Sequence, residues 1–479
     1  MILKFNIKPL KKRFFIFYKF NLIKKIIIII KIFILIIFII FFKNYTFKTY
    51  NNNHKIYYSY IKYNIYNRLK RKKILKNIKL GVYTVSLENG GRERLTALLI
   101  NYLFKEKIFD IFLFTNMDKN PNEYKIPDKV KRIKIFGIEN FKNELIQKNI
   151  DIIIYQDYDL DYIKMLNDLK NVKTIFYNHC CFLYLIYNNL ITFFKRFYNL
   201  YQNAKYIISL IPFENDYLFK KWGITSILMN NFITYNYDEI IPSNLSSRII
   251  IMVGRANDKN KRFDLGIKAM KYIIDEIPDC KMIIISSLDG TSYLMDLVKE
   301  LDLSNNIKFV GYTLSPEEYY KNASLHIFPS LIECFPMILS ETKLYGIPNI
   351  IAGIDYVSAA KGGVININDD SPQKIAKEAI KILSNENYRK NLGKNARISM
   401  KKFNNKIILK KWVELILAVY NGDYFYNKLR NESQKLPEKE AINQLENQLV
   451  NMKKRIENMP NITLIDLLKI DFIDKFRNN

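Results

Sequence analysis

Residues 323–353 read ASLHIFPSLIECFPMILSETKLYGIPNIIAG. An apolar run, ASLHIFPS (323–330), leads into a short turn. MILSETKLYG then spaces its apolar residues as a helix does and stops near Gly346, and IPNIIAG (347–353) is a second apolar run. Runs this short and continuous read as strands covered on both faces, so the unit is strand, helix, strand within a parallel sheet. The same stretch places two acids, Glu333 in the turn and Glu341 eight positions later. The first sits near the helix N-terminus; the second lies on the helix, about 10 Å along. An acid near a helix start satisfies backbone N–H groups, but that accounts for Glu333 alone.

The pattern extends on both sides. KLGVYTVS (79–86), FDIFLFT (109–115), VKRIKIFG (130–137), DIIIYQ (151–156), VKTIFYNH (172–179) and AKYIISL (204–210) form one series of strand candidates. RIIIMVG (248–254), DCKMIIIS (279–286) and NIKFVG (306–311) lead into the quoted unit, and GGVININ (362–368) follows it. Helical stretches separate most of them, so the fold class is α/β: two doubly wound parallel-sheet units, Rossmann-like, in tandem. A chain of 479 residues has room for two such cores. The units are expected at 78–240 and 246–400, joined near the polar stretch IPSNLSS (241–247).

In such sheets ligands bind beyond the carboxyl ends of the strands, which directs attention to three strand-to-helix turns. ENGGRERLT (88–96) carries Gly90 and Gly91, which let backbone approach a ligand at a helix start or simply make a tight turn. VGRANDKNKRFD (253–264) sends out Arg255 and, six residues later, Lys261. Two cations at one mouth suit a diphosphate, although solvated surface cations read the same way in isolation. The third turn is the one that holds Glu333. A pair of hydroxyl-rich rings joined by a diphosphate would use both acids as acceptors with the cations between them.

Gly254, Arg255, Lys261 and Asp264, the pair Glu333 and Glu341, and YGIPNIIAG (345–353), taken in this order, resemble the donor domain of retaining glycosyltransferases of family 4, which have the GT-B fold. The resemblance covers about residues 78–420 and is strongest from 248 to 370. It implies a metal-independent retaining hexosyltransferase: a nucleotide-sugar co-substrate bound by the 246–400 unit, an acceptor by the 78–240 unit, and no other cofactor. Arg255 and Lys261 would hold the donor diphosphate, Glu333 would lie beside the transferred sugar, and Glu341 would accept from the ribose hydroxyls. Gly90 and Gly91 would face phosphate and acceptor across the cleft. His179 and Asn231 match a histidine after an N-domain strand and an asparagine before the linker, and His179 joins Glu333, Arg255 and Lys261 as a catalytic candidate. KFNNKIILKKWVELI (402–416), within 401–420, resembles the helix that crosses back to the first domain. Many members have Gly-Phe-Gly after the first glutamate, whereas this chain has Cys334, Phe335 and Pro336, and Pro336 has no N–H to offer.

The formal charge of +29 is concentrated at the start of the chain. Residues 1–79 hold 20 Lys/Arg and no acid, leaving 55 Lys/Arg against 46 Asp/Glu in the remaining 400 residues. No nucleic-acid recognition motif accompanies that charge. Within the segment 1–77, IIIIIKIFILIIFIIFF (26–42) is a seventeen-residue apolar run broken only by Lys31, with lysines on both sides. It is expected to anchor the protein in a membrane, with anionic headgroups beside its basic flanks and the catalytic domains in the cytoplasm. Cys180, Cys181, Cys280 and Cys334 have neither metal-ligand nor disulfide spacing and fit a reducing compartment. Asp157, Asp159 and Asp161 in QDYDLDY (156–162) could imitate a metal-binding carboxylate set, but no other part of a metal-dependent fold accompanies them; His54 and His326 have no site context. In the tail, 437–479, EKEAINQLENQLVNMKKRIE (438–457) carries a two-heptad seam suited to weak self-association or to packing on the enzyme itself. The expected activity is transfer of a sugar to an envelope glycan or a lipid-linked acceptor. An epimerase of the same double fold and an inactive carbohydrate-binding relative are the alternatives.

Overall fold

The computed structural model describes residues 77–422, apart from 89, 180–182, 184–198, 213–225 and 314, together with residue 447. The anchor expected at 26–42 lies outside the described residues, as does all of the tail 437–479 except residue 447. Among the described residues no helix is long and apolar enough to cross a membrane.

The first sheet contains β1 (Ile78–Tyr83), β2 (Phe109–Thr115), β3 (Lys131–Lys134), β4 (Ile152–Tyr155), β5 (Lys173–Tyr177), β6 (Tyr206–Ser209) and β7 (Ser226–Leu228). Its spatial order is β3-β2-β1-β4-β5-β6-β7, with every pairing parallel. The second contains β8 (Ile249–Val253), β9 (Lys281–Ile285), β10 (Ile307–Phe309), β11 (Leu325–Phe328), β12 (Asn349–Ala352) and β13 (Val364–Ile367), in the order β10-β9-β8-β11-β12-β13, again all parallel. Runs such as IIIY in β4 are buried at every position, because helices cover both faces of a parallel sheet. Each strand run read from the sequence overlaps an observed strand. The reading missed β7, three residues long at the sheet edge, too short for an apolar run to stand out.

Among the described residues, α1 (Gly91–Lys105), α2 (Ile138–Gln147) and α3 (Leu160–Asp168) belong to the first unit. The second has α4 (Phe263–Glu276), α5 (Ser292–Glu300), α6 (Glu317–Tyr320), α7 (Met337–Leu344), α8 (Pro372–Ser384) and α9 (Glu386–Ser399). Its largest apolar core runs from Ile250 and Met252 on β8 through Phe263, Ile267 and Met270 on α4 to Ile375 and Ile382 on α8.

A further helix, α10 (Asn405–Asn421), returns to the first unit. Trp412 is fully buried, its ring 5.0 Å from that of Tyr177 on β5. Lys173 Nζ donates to the carbonyls of Val419 and Tyr420, at 2.8 and 2.9 Å, in the last turn of the helix. A buried Trp is worth about 3–5 kcal/mol against Ala, and a hydrogen bond about 1 kcal/mol net. Apolar packing therefore dominates this docking, and the lysine sets its register.

In both sheets the strand order reverses next to the first strand, between β1 and β4 and between β8 and β11. The crevice at such a reversal is where open α/β sheets bind ligands. The turns after β8 and β11 carry Lys261 and Glu333; those after β1 and β4 carry Gly90, Gly91 and Gln156.

Candidate active site

Beyond β8 the chain passes through Gly254, with φ +147, a backbone region that favours glycine, and its N–H bonds Ile285 O at 3.1 Å. A 3-10 turn at Lys259–Lys261 follows, with the Asp258 side chain accepting from Asn260 N. Beyond β11, residues 329–336 loop over to α7. One side chain joins the two loops: Asn260 donates from Nδ2 to Ile332 O at 2.9 Å and accepts at Oδ1 from Ile332 N at 3.1 Å. Its backbone carbonyl also accepts from Leu331 N at 2.9 Å. Tyr356 OH then brackets the backbone of Glu333, accepting from its N–H and donating to its C=O, both at 3.0 Å.

This scaffold brings Lys261 Nζ to 2.5 Å from Glu333 Oε1. The side chains are only 18% and 11% exposed, so the pair is largely screened from water. The ammonium also lies 5.7 Å from the ring centre of Phe328, and Glu333 takes just one of its three donors. Arg255 is placed differently. Its side chain is 75% exposed and pairs with Asp258 at 3.3 Å. Asp264, in the first turn of α4, pairs with Arg262 at 3.2 Å.

Helix α7 starts beside Glu333. Pro336 is its N-cap, and Ser340 bonds Pro336 O through both its N–H and its Oγ. The proline removes one of the four N–H groups a helix start presents, and those of Met337, Ile338 and Leu339 remain. Phe335 is buried with its ring edge-on to Phe403 at 5.1 Å, and Cys334 is half-buried. One turn into α7, Glu341 has no exposed surface. Its Oε1 accepts from Arg94 Nη1 on α1 at 2.9 Å and from Thr234 Oγ1 at 2.6 Å, and its Oε2 accepts from Tyr320 OH at 3.1 Å. Burial works against the Arg94 charge, but Glu341 and Tyr235 outweigh it and hold the guanidinium above its ordinary value.

The first unit faces this helix start. A Cβ on Gly91 would stand 3.6 Å from Met337 Cγ, which places the glycine turn against the α7 N-terminus. Asn231 spans the same gap: Tyr177 OH donates to its Oδ1, and its Nδ2 lies 3.7 Å from Met337 Sδ. Gly90 caps α1 in an extended conformation, and the Glu93 carboxylate folds back over it, into the space a side chain there would displace. That carboxylate also accepts from Arg92 Nε at 2.9 Å.

Gln156, at the end of β4, donates to Tyr83 O at 3.5 Å, which turns its Oε1 toward Thr96 Oγ1 at 3.1 Å and His179 Nε2 at 3.0 Å. With an acceptor at Nε2, His179 carries its proton there, leaving Nδ1 as an acceptor. Burial, helped by the Arg92 charge, pushes the His179 pKa down to about 3, so the ring is neutral at physiological pH. Two of the aspartates of 157–161 are engaged in the fold: Asp159 caps α3, accepting from Asp161 N and Tyr162 N, and Asp157 lies 3.8 Å from Arg92. Among the described residues no group of three or more His, Cys, Asp or Glu is placed to hold a metal. Asn260, Arg94, Thr234 and Gln156 were not singled out from the sequence, although Arg94 lies in the quoted ENGGRERLT.

Residues 236–399 match the family described as glycosyl transferases group 1. This second unit belongs to glycosyl transferases group 1. The match runs from the linker to the end of α9, so the group 1 unit holds Lys261, Glu333 and Glu341, while Gly90, Arg94 and His179 lie before it. The chain is 22% identical over 355 residues to an uncharacterized glycosyltransferase of Haemophilus influenzae, covering 70% of this chain and 98% of that one. It is 25% identical over 298 residues to the Campylobacter jejuni N-acetylgalactosamine-N,N'-diacetylbacillosaminyl-diphospho-undecaprenol 4-alpha-N-acetylgalactosaminyltransferase, covering 55% of this chain and 78% of that one. Among solved structures, Anabaena HepE in complex with UDP and glucose aligns at a TM-score of 0.58 and 15% identity, over 71% of this chain and 100% of that one. That likeness carries the fold: a group 1 unit behind a second parallel-sheet unit, the GT-B arrangement.

Proposed function

We propose that the protein is a retaining glycosyltransferase that takes a nucleotide-sugar donor on its group 1 unit and passes the sugar to a lipid-linked or envelope glycan acceptor. The observation that carries this reading is the Lys261–Glu333 pair, 2.5 Å apart at the strand reversal of the second sheet and beside the free N–H groups of α7. A cation next to a helix N-terminus suits a diphosphate, and an acid at its edge suits sugar hydroxyls. Glu341, one turn further along α7, is the ribose acceptor, and Arg255, on the rim, meets the diphosphate as the donor arrives.

In the reaction the bond from the sugar C1 to the diphosphate oxygen breaks. A bond from C1 to the acceptor oxygen forms on the same face, and the acceptor proton passes to the leaving diphosphate. Lys261 and the α7 amides stabilise the charge on that leaving group without a metal, a preorganised role normally worth several kcal/mol. Neutral His179 bonds a sugar or acceptor hydroxyl through Nδ1. The C. jejuni relative is named for a diphospho-undecaprenol acceptor, which supports a lipid-linked substrate. The apolar run at 26–42 and its basic flanks would hold the enzyme at the membrane that carries it, with the sheets on the cytoplasmic side.

The test is transfer from radiolabelled nucleotide sugars to extracted polyprenyl-diphosphate glycans, with the product anomer read by NMR. An α-linked product from an α-donor is expected. A β-linked product would overturn retention, and conversion of the donor to an isomer without transfer would put an epimerase in its place.

A further inference from the structure

Glu341 is closed off from solvent, and one of its partners comes from the opposite unit. Tyr320 belongs to the apolar core of the second unit, packed with Ile251, Ile285 and Tyr345, and Thr234 lies in the loop between β7 and the linker. Arg94 alone reaches Glu341 from a helix of the first sheet, at 2.9 Å. It is braced there by Tyr235 OH at 3.2 Å, with its Cζ 5.4 Å from the centre of that ring. A ribose hydroxyl can reach the carboxylate only if one of the groups around it withdraws. Tyr320 cannot do so without opening a core, whereas Arg94 leaves as its helix moves.

We propose that Arg94 is an internal competitor for the donor: it latches the two units through Glu341, and the nucleoside binds by taking its place. The proposal rests on the reading of Glu341 as the ribose acceptor and adds how access to it is regulated. Donor binding and parting of the units then become a single equilibrium, and the apparent affinity falls by the fraction of molecules that are latched. The diphosphate end of the ligand, at Lys261, is outside the latch.

The experiment is calorimetric titration of the full chain and its Arg94→Met variant with UDP, GDP, ADP and inorganic pyrophosphate. Affinity for the nucleoside diphosphate that wild type binds should rise on the order of tenfold in the variant, while pyrophosphate affinity stays where it was. Arg94→Lys, which keeps the charge but loses the fork, should shift the same way by less, and it serves if Arg94→Met does not fold. Unchanged or weaker nucleoside affinity with pyrophosphate still bound overturns the latch and leaves the donor site standing. Folded wild type that binds none of the four overturns the donor site and the latch together.

Discussion

Lys261 and Glu333 lie 72 positions apart in the chain and meet at 2.5 Å. Both could be picked out in the sequence, because each follows an apolar strand through a short turn, where parallel sheets place their ligand-binding groups. Their contact could not, since it depends on the two-pronged grip of Asn260 on Ile332, and an asparagine in a polar turn has no distinguishing local pattern. Arg94 is a stronger case: its partner Glu341 is 247 positions away, beyond anything local spacing encodes. The role of His179 is tested by pH. Its pKa of about 3, against an ordinary 6.5, keeps the ring neutral on both sides of 6.5. His179→Ala should therefore lower kcat/KM by the same factor above and below that pH. A factor that changes across it would mean that His179 acts through a proton.

Helix α7 is the element on which the site depends, and buried polar groups fix its position. His326 on β11 bonds Asn349 on β12 at 2.6 Å and Thr342 on α7 at 3.1 Å, tying two strands to the helix. On the same helix Lys343 is fully buried and donates to the carbonyls of Ala359 and Lys361. Burial, helped by the Lys402 charge, pushes its pKa down from 10.5 to about 7. Between those two values the unfolded chain carries a proton that the native state lacks, so this residue makes stability rise with pH across the window. Denaturant midpoints measured from pH 7 to 10.5 should rise less in Lys343→Met than in wild type. Parallel slopes would show that the lysine is charged in the native state. The helix itself was legible, its start, span and stop alike. Its buried lysine was not, because a polar residue on a helix reads as solvated until the neighbouring loop is known.

At the scale of the whole molecule, two parallel sheets with reversed strand order were readable from the alternation of apolar runs and helical stretches. The three-residue β7 was not, nor was the way α1 and α7 meet at Gly91 and Met337, which is a matter of tertiary approach. Helix α10 was expected because residues 402–416 resemble the family's terminal helix. Its return to the first unit is now explained by Trp412 against Tyr177. The central claim is that the crevice of the group 1 unit binds a nucleotide sugar through Lys261. The most direct measurement is binding of UDP-, GDP- and ADP-sugars by calorimetry to wild type and to Lys261→Ala, with both proteins shown to be folded. One donor should bind wild type, and the variant should lose roughly 10- to 100-fold in affinity, as removal of a charge-assisted contact worth about 1.5–3 kcal/mol would cause. Equal affinity in the two proteins would contradict that claim.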